Sequence, residues 1–372
     1  MNTNLGVDVQ DIMNSLSDGV YVCDAERRIV YWSQSAERIT GWTSADVVGR
    51  QCFDNLLCHI DKDGHKLCGQ EYCPLHRAII TDTGSKGSLL VYALGKNGAR
   101  IPMLVSVSPM RDAQGQVIGG VETFRDASAM VQDLERAKAI QQLALTHQMP
   151  ADPRVQFTTH YVPHEIVGGD FYAIRQLDSG QYGVMLADVM GHGIAAALYT
   201  MHLSQLWERH HRLLCSPVEF AATMNNELVK VVKTDESFAT AICGLIDLDN
   251  CVFRFAGAGG AQVLVMHADG TYACPECSGL PLAVMEDAPY EDISVPFLPG
   301  DRLLMFSDGA IEIHNSEGQM LDIHGLIAIL RQQGYPQAGI DMPRLEEALL
   351  KYSNSIRLED DLTILEVRFS ER

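Results

Sequence analysis

The chain has 372 residues, 47% of them hydrophobic, and its 48 Asp and Glu against 28 Lys and Arg give a formal net charge of −20 at pH 7. That length exceeds one typical core and predicts two domains, while the acidic balance argues against a phosphate-backbone binder and favours cation recruitment wherever a phosphorylated substrate is met. The opening residues are polar and no run approaches the about 18 apolar residues of a membrane helix, so no nucleic acid, no membrane insertion and a cytoplasmic location are expected; the ten cysteines read as reduced thiols or ligands rather than disulfides.

Residues 9–126 have the rhythm of a small antiparallel domain. Two short β-runs at 19–24 and 28–32 flank a polar turn, and short helices at 35–39 and 44–48 each begin at serine and stop at a glycine, Gly41 and Gly49. Apolar runs at 89–94, 100–107 and 117–124, parted by Gly-Lys-Asn-Gly and Arg-Asp-Ala-Gln-Gly turns, predict a three-strand meander. Cys52, Cys58, Cys68 and Cys73 cluster between helices and meander, with His59, His65 and His76 nearby. Their spacings of 5, 9 and 4 residues match neither the paired C-x2-C of common zinc sites nor the usual ferredoxin runs. The four are a candidate cofactor site, metal, iron–sulfur or redox-sensing, set against the plain reading of small buried hydrophobes beside a helix start at Pro74.

In residues 129–148, Met130, Leu134, Ala137, Gln141 and Ala144 recur at alternating spacings of four and three. This predicts a helix with a weak heptad stripe, interrupted by Gln141 and stopped by Pro150 and Pro153. We read it as a dimerising signal helix, because a helix transmits rotation or register where a flexible linker does not.

Four apolar runs beyond it meet an aspartate. Gly169-Asp170 opens a hairpin that returns through 182–186 to Asp188; the run 303–306 ends in Ser307-Asp308-Gly309; Asp360-Asp361 precede the run 362–367. Taken singly, each is ordinary turn chemistry. Brought to one edge of a sheet pair they would repel one another unless a cation intervened, and hard oxygen ligands suit Mg²⁺ or Mn²⁺. Gly191-His192-Gly193 opens a small-residue helix at 194–211, where His192 either donates a proton to a leaving oxygen or only shapes the turn. Cys274-Pro275-Glu276-Cys277 is a single C-x2-C at an expected hairpin turn and reads as structural.

The ordered set Gly169-Asp170-Phe171-Tyr172, Ala187-Asp188-Val189-Met190-Gly191-His192-Gly193, Phe306-Ser307-Asp308-Gly309-Ala310-Ile311-Glu312 and Asp360-Asp361-Leu362-Thr363 resembles the SpoIIE-like branch of the PPM (type 2C) metal-dependent serine/threonine phosphatases, over roughly residues 149–369. Asp18-Gly19-Val20-Tyr21-Val22-Cys23-Asp24, the helix 36–41 and Val48-Gly49-Arg50 resemble a PAS sensor domain. The resemblances imply an α+β chain: a PAS domain at 9–126, a helical linker at 127–148 and an αββα-sandwich phosphatase domain at 149–372. They further imply two Mn²⁺ or Mg²⁺ ions, with Asp188 bridging both, helped by the backbone carbonyl of Val189, Asp170 on one ion, and Asp308 and Asp360 on the other. Asp360 is preferred to Asp361 because the family motif places the ligand first. Asp188, Asp308 and His192 form the implied catalytic set. The implied reaction is direct attack of a metal-bound hydroxide on a phosphoprotein, a phosphorylated STAS-domain anti-sigma-factor antagonist in bacterial partner switching, by a homodimer joined through the linker helix. Ala256-Gly257-Ala258 departs from the branch, where Ala-Gly-His is usual. Gly49-Arg50-Gln51-Cys52 faintly resembles a flavin-binding PAS motif, but the residues after it depart, and haem through His59 or His76 stays open. A catalytically silent binding module is the second reading; four intact acidic positions weigh against it.

Overall fold

In a computed structural model, which describes residues 8–54, 56–69, 72–145, 149–191, 193–231 and 237–370, the chain separates into two units, Met1–Asp133 and Leu134–Arg372. The first contains α1 (Val9–Ser15), β1 (Gly19–Asp24), β2 (Ile29–Trp32), α2 (Gln34–Thr40), α3 (Ser44–Val47), α4 (Pro74–Thr81), β3 (Leu89–Leu94), β4 (Arg100–Arg111) and β5 (Val117–Asp126). The strands form one antiparallel sheet in the order β2-β1-β5-β4-β3. α2 starts at Gln34, one residue before the expected Ser35, and α3 starts at Ser44 as expected. The Ser33 hydroxyl accepts the Ala36 N–H ahead of α2 (3.2 Å), and the Thr43 N–H donates to Asp46 at α3 (2.9 Å), so each start is a side-chain cap. Gly41 closes α2 at φ 76°, as predicted; α3 instead ends at an extended Val48, ahead of Gly49. Tyr21, Trp32, Leu56, Leu57 and Phe124 fill the core between sheet and helices.

α5 (Ser128–Leu145) follows, and residues 146–148 of the expected linker lie outside the described residues. The second unit then runs β6 (Val155–Val162), β7 (Asp170–Asp178), β8 (Gln181–Val189), α6 (Ile194–His210), α7 (Pro217–Val231), β9 (Ala239–Asp247), β10 (Val252–Ala258), β11 (Val263–Met266), β12 (Tyr272–Ala273), β13 (Ile293–Pro296), β14 (Arg302–Phe306), α8 (Asp322–Gln332), α9 (Met342–Ser353) and β15 (Leu362–Phe369). Two sheets result, β13-β10-β9-β8-β7 and β12-β11-β14-β15-β6.

Alternation along the strands explains the sandwich. On β8, Tyr182, Val184 and Leu186 meet Leu303, Met305, Leu365 and Val367 of the other sheet, whereas Met185, Ala187 and Val189 meet Leu203, Trp207 and Phe220 of α6 and α7. On β14 and β15, Leu304, Phe306 and Ile364 turn outward onto Leu326, Leu330, Leu345 and Leu349 of α8 and α9. Central strands buried on both faces read as continuous apolar runs rather than alternating ones, and the layers are helix, sheet, sheet, helix.

The Cys274–Cys277 segment corrects the sequence reading. It is irregular chain after the two-residue β12, not a hairpin turn, and Cys277 packs where a Cβ on Gly257 would fall 2.5 Å from its Sγ. All ten cysteines are free thiols.

Trp207 is fully buried between α7 and the first sheet. Trp207→Ala is expected to cost about 3–5 kcal/mol in urea unfolding, against under about 0.5 kcal/mol for Val284→Ala at an exposed position.

Candidate active site

The parity that buries Leu186 and Leu365 between the sheets also sets what lies at the end of that layer. Two residues beyond Leu186 is Asp188, and two and four before Leu365 are Thr363 and Asp361. Asp170 is the cross-strand partner of Asp188. The Thr363 hydroxyl donates to Asp170 Oδ2. Just past β14, the Ser307 hydroxyl donates to the Asp361 carbonyl (3.1 Å) and accepts the Thr363 N–H (2.9 Å). At this end the apolar interlayer thus gives way to carboxylates laced across the two sheets by hydroxyls.

The adjacent aspartates occupy different environments. Asp361 is buried, with Oδ1 accepting the His164 N–H (2.6 Å) and Oδ2 the Gly169 N–H, so both oxygens hold the backbone that leads into Asp170. Asp360 is exposed, and its Oδ1 accepts the Asp361 N–H (2.8 Å). Glycine is required at two approaches. A Cβ on Gly309 would lie 2.0 Å from the Asp361 carbonyl oxygen, and one on Gly169 would lie 2.8 Å from the carbonyl oxygen of Val189.

Burial is the largest cause lifting each of these acids, and their mutual charge adds to it. Asp188 is pushed up to about 10 by burial and then by Asp170, Asp308, Asp360 and Asp361. Asp170 rises to about 8 through burial and Asp361, and Asp308 to about 6 through burial, Asp360 and Glu312. Burial also raises Asp361. Oδ1 of Asp170 and Oδ1 of Asp308 are buried without a hydrogen-bond partner, a deficit of about 1–3 kcal/mol each if nothing fills it. An all-carboxylate donor set with orphaned oxygens fits hard divalent cations such as Mg²⁺ or Mn²⁺. Among the described residues only Asp61, Asp63 and His65 bring three ligand atoms within 4.8 Å of one another, so the carboxylates of the second unit are too spread to close on a single ion. His192 lies outside the described residues.

Residues not singled out as site residues from sequence position these acids. Gln141 of α5 is 3% exposed; its Nε2 donates to the Gly168 carbonyl (2.7 Å) and to Thr200 Oγ1 (2.9 Å), and its Oε1 accepts the Gly168 N–H (3.3 Å). The polar break in the heptad stripe was the signal: at Gln141 the stripe turns into its own unit rather than toward a second helix. In the first unit, Cys52 and Cys73 are buried together with Cys23, which sequence spacing had not grouped with them, while Cys58 and Cys68 are half-buried. His65 bonds Asp61 on a surface turn (3.0 Å).

A family model for Stage II sporulation protein E (SpoIIE) matches residues 178–370, and a PAS domain model matches residues 17–129. The first match begins after Asp170, so that residue's place in the site rests on its pairing with Asp188. The chain is 31% identical over 183 residues to phosphoserine phosphatase RsbP of Bacillus subtilis (strain 168), covering 48% of this chain and 45% of that protein. It is 24% identical over 237 residues to phosphoserine phosphatase RsbU of the same organism, covering 63% of this chain and 70% of that one. The chain therefore spans less than half the length of RsbP. Among solved structures, the SiaA-PP2C domain of Pseudomonas aeruginosa superposes with a TM-score of 0.57 at 21% identity, over 65% of this chain and 98% of that one, and so shares its fold.

Two outcomes follow from this geometry. Carboxyls lifted above their ordinary value of 3.8 contribute stability that is full below that value and is lost as pH rises toward the folded values of about 6 to 10. In EDTA, melting temperature should fall between pH 5.5 and 8.5; Mg²⁺ or Mn²⁺ should restore more at pH 8.5, and Asp188→Asn should raise the EDTA value while shrinking the metal response. Gln141→Ala leaves the Gly168 carbonyl without its donor and should cost about 1–3 kcal/mol in denaturant unfolding; an unchanged midpoint would show that the clamp is idle.

Proposed function

The chain belongs to the Stage II sporulation protein E (SpoIIE) family, and from that membership and the carboxylate site we propose that it is a Mn²⁺- or Mg²⁺-dependent protein serine/threonine phosphatase under the control of a PAS domain. The observation that carries the proposal is the convergence of Asp170, Asp188 and Asp308 with two buried, unpartnered oxygens at one end of the sandwich. Asp188 would bridge two ions with help from the Val189 carbonyl, Asp170 serving one, Asp308 and Asp360 the other. Bound there, the cations supply Lewis acidity toward the phosphoryl oxygens and acidify water for in-line attack at phosphorus.

The chain's own residues do the rest. Thr363 and Ser307 hold Asp170 to the opposite sheet, and Asp361 and Gln141 fix the 164–169 backbone, so the carboxylates are placed before any ligand arrives. Without cations the same acids repel a phosphate dianion, which ties substrate binding to metal occupancy. Asp308 and His192 remain the proposed catalytic partners of Asp188, His192 either donating a proton to the leaving seryl oxygen or only shaping the turn. No histidine stands at Ala258 to share that task.

The proposed substrate is a phosphorylated STAS-domain regulatory protein of a partner-switching pathway; two relatives named phosphoserine phosphatases support a phosphoserine target. We place the sensor at 9–126, the linker at 127–148 and the catalytic domain at 149–372. Ile140 and Leu143 of α5 are exposed and share one side of the helix, the side a second copy would meet. Among the described residues no helix is long and apolar enough to cross a membrane.

Phosphate release from a phosphoserine protein is expected to require Mn²⁺ or Mg²⁺, to stop in EDTA, and to fall by at least about 10³-fold in Asp188→Asn that remains folded by circular dichroism. Full turnover by Asp188→Asn would remove the metal assignment.

A further inference from the structure

The first unit buries a second reactive cluster that phosphate chemistry does not use. His59 and Glu122 are 4% and 2% exposed, their Nε2 and Oε1 stand 3.7 Å apart, and neither atom has a hydrogen-bond partner. The other Glu122 oxygen accepts the Tyr21 hydroxyl (3.0 Å). Thiols surround the pair. Cys52 and Cys73 are each 4% exposed in the core shared with Cys23, and Cys68 Sγ accepts the His59 N–H at 3.0 Å. Arg27 is nearly buried, its guanidinium 4.2 Å from the Phe53 ring centroid and close enough to Cys73 to favour the thiolate.

Four soft or borderline donors, one of them an orphaned imidazole nitrogen, lie in and beside one core, Cys52, Cys73 and His59 buried and Cys68 half-buried. Burial raises the Cys52, Cys68 and Cys73 thiols. A metal ion reverses that, since it deprotonates a coordinating thiol outright.

We propose that the first unit holds a thiophilic metal centre ligated by Cys52, Cys68, Cys73 and His59 Nε2, a Zn²⁺ ion or an iron–sulfur cluster. Three thiolates leave a Zn²⁺ site with one net negative charge, and Arg27 is the buried cation beside it. Cys58, grouped with the others by spacing, is half-buried like Cys68, and Cys68 is preferred because its Sγ meets the His59 backbone N–H. Glu122 is the acid next to the imidazole, 3.7 Å from Nε2. No three of these donors lie within 4.8 Å of one another. A zinc ion, with ligand edges of about 3.8 Å, would draw the thiols in, whereas a cluster separates its ligands further and asks for less movement. The surface trio Asp61, Asp63 and His65 is a weaker candidate, because Asp61 Oδ1 already accepts two backbone N–H groups and Oδ2 meets the His65 ring.

The test is zinc, iron and acid-labile sulfide content of the full chain, purified without oxygen and desalted, alongside Cys52→Ser, Cys68→Ser, Asp188→Asn and Cys215→Ser. Cys68→Ser, at a half-buried position, guards against a core variant that fails to fold, and circular dichroism checks each protein. About one Zn²⁺ per chain, or iron with matching sulfide, kept in Asp188→Asn and Cys215→Ser and reduced at least fivefold in folded Cys68→Ser, is the expected result. Zinc without sulfide identifies the single ion, and iron with sulfide the cluster. Metal content equal in Cys68→Ser and the parent, content lost with Asp188→Asn, or a metal-free parent that takes up neither zinc nor iron and sulfide on reconstitution, overturns the proposal.

Discussion

Like charge buried at the end of an apolar layer is the constraint on which the second unit turns. Asp170, Asp188 and Asp361 sit there because strand alternation, having filled the interlayer with Leu186, Leu303, Met305 and Leu365, delivers the next inward position of several strands to one edge, and Asp308 follows directly on the inward position Ser307. An aspartate in that place loses water and gains acidic neighbours, and burial outweighs any single neighbour in raising Asp188 and Asp170. The fold tolerates the arrangement because two sheets already bury a large apolar surface, so a local deficit of a few kcal/mol does not undo it. Preorganisation of this kind stores affinity for a cation in the folded chain itself.

What keeps the acids in position is a short stretch of backbone. The 164–169 segment has its amides held by Asp361 and Gln141, a strand-end carboxylate and a side chain of the helix that precedes the sandwich. Both partners are almost wholly buried, so each bond is made in a low-dielectric setting where an unmade one is expensive. The glycines serve the same end: at Gly169 and Gly309 a methyl group would collide with a carbonyl, and the aspartate-bearing loops could not approach one another as closely.

Much of this was legible in the sequence because it depends on period and punctuation. Strand-end aspartates beside glycine, the continuous apolar runs and the helix stop at Gly41 are local signals, and the two units reproduce them. The part that was not legible is tertiary. Gln141 appeared as a flaw in a heptad stripe, since nothing local says that a buried amide will meet a backbone amide 27 residues on. The contrast between Asp360 and Asp361 likewise depends on which of two neighbours faces the His164 and Gly169 amides. Grouping cysteines by spacing took in Cys58 and left out Cys23, because spacing along a loop does not say which side chains turn inward.

The two buried clusters differ in a way that bears on how one chain could hold two kinds of metal. In the second unit the donors are carboxylate oxygens, which bind Mg²⁺ and Mn²⁺ weakly and exchangeably and are outcompeted for thiophilic ions by sulfur. In the first unit the donors are thiols and an imidazole, which have little affinity for Mg²⁺ at any plausible concentration. Selectivity then follows from donor hardness alone, with no need for a cavity tuned to ionic radius. A sensor site built on this principle would stay loaded while the catalytic ions come and go, and its own loss or gain of metal would report on redox state or metal supply rather than on the cations that the reaction consumes no part of.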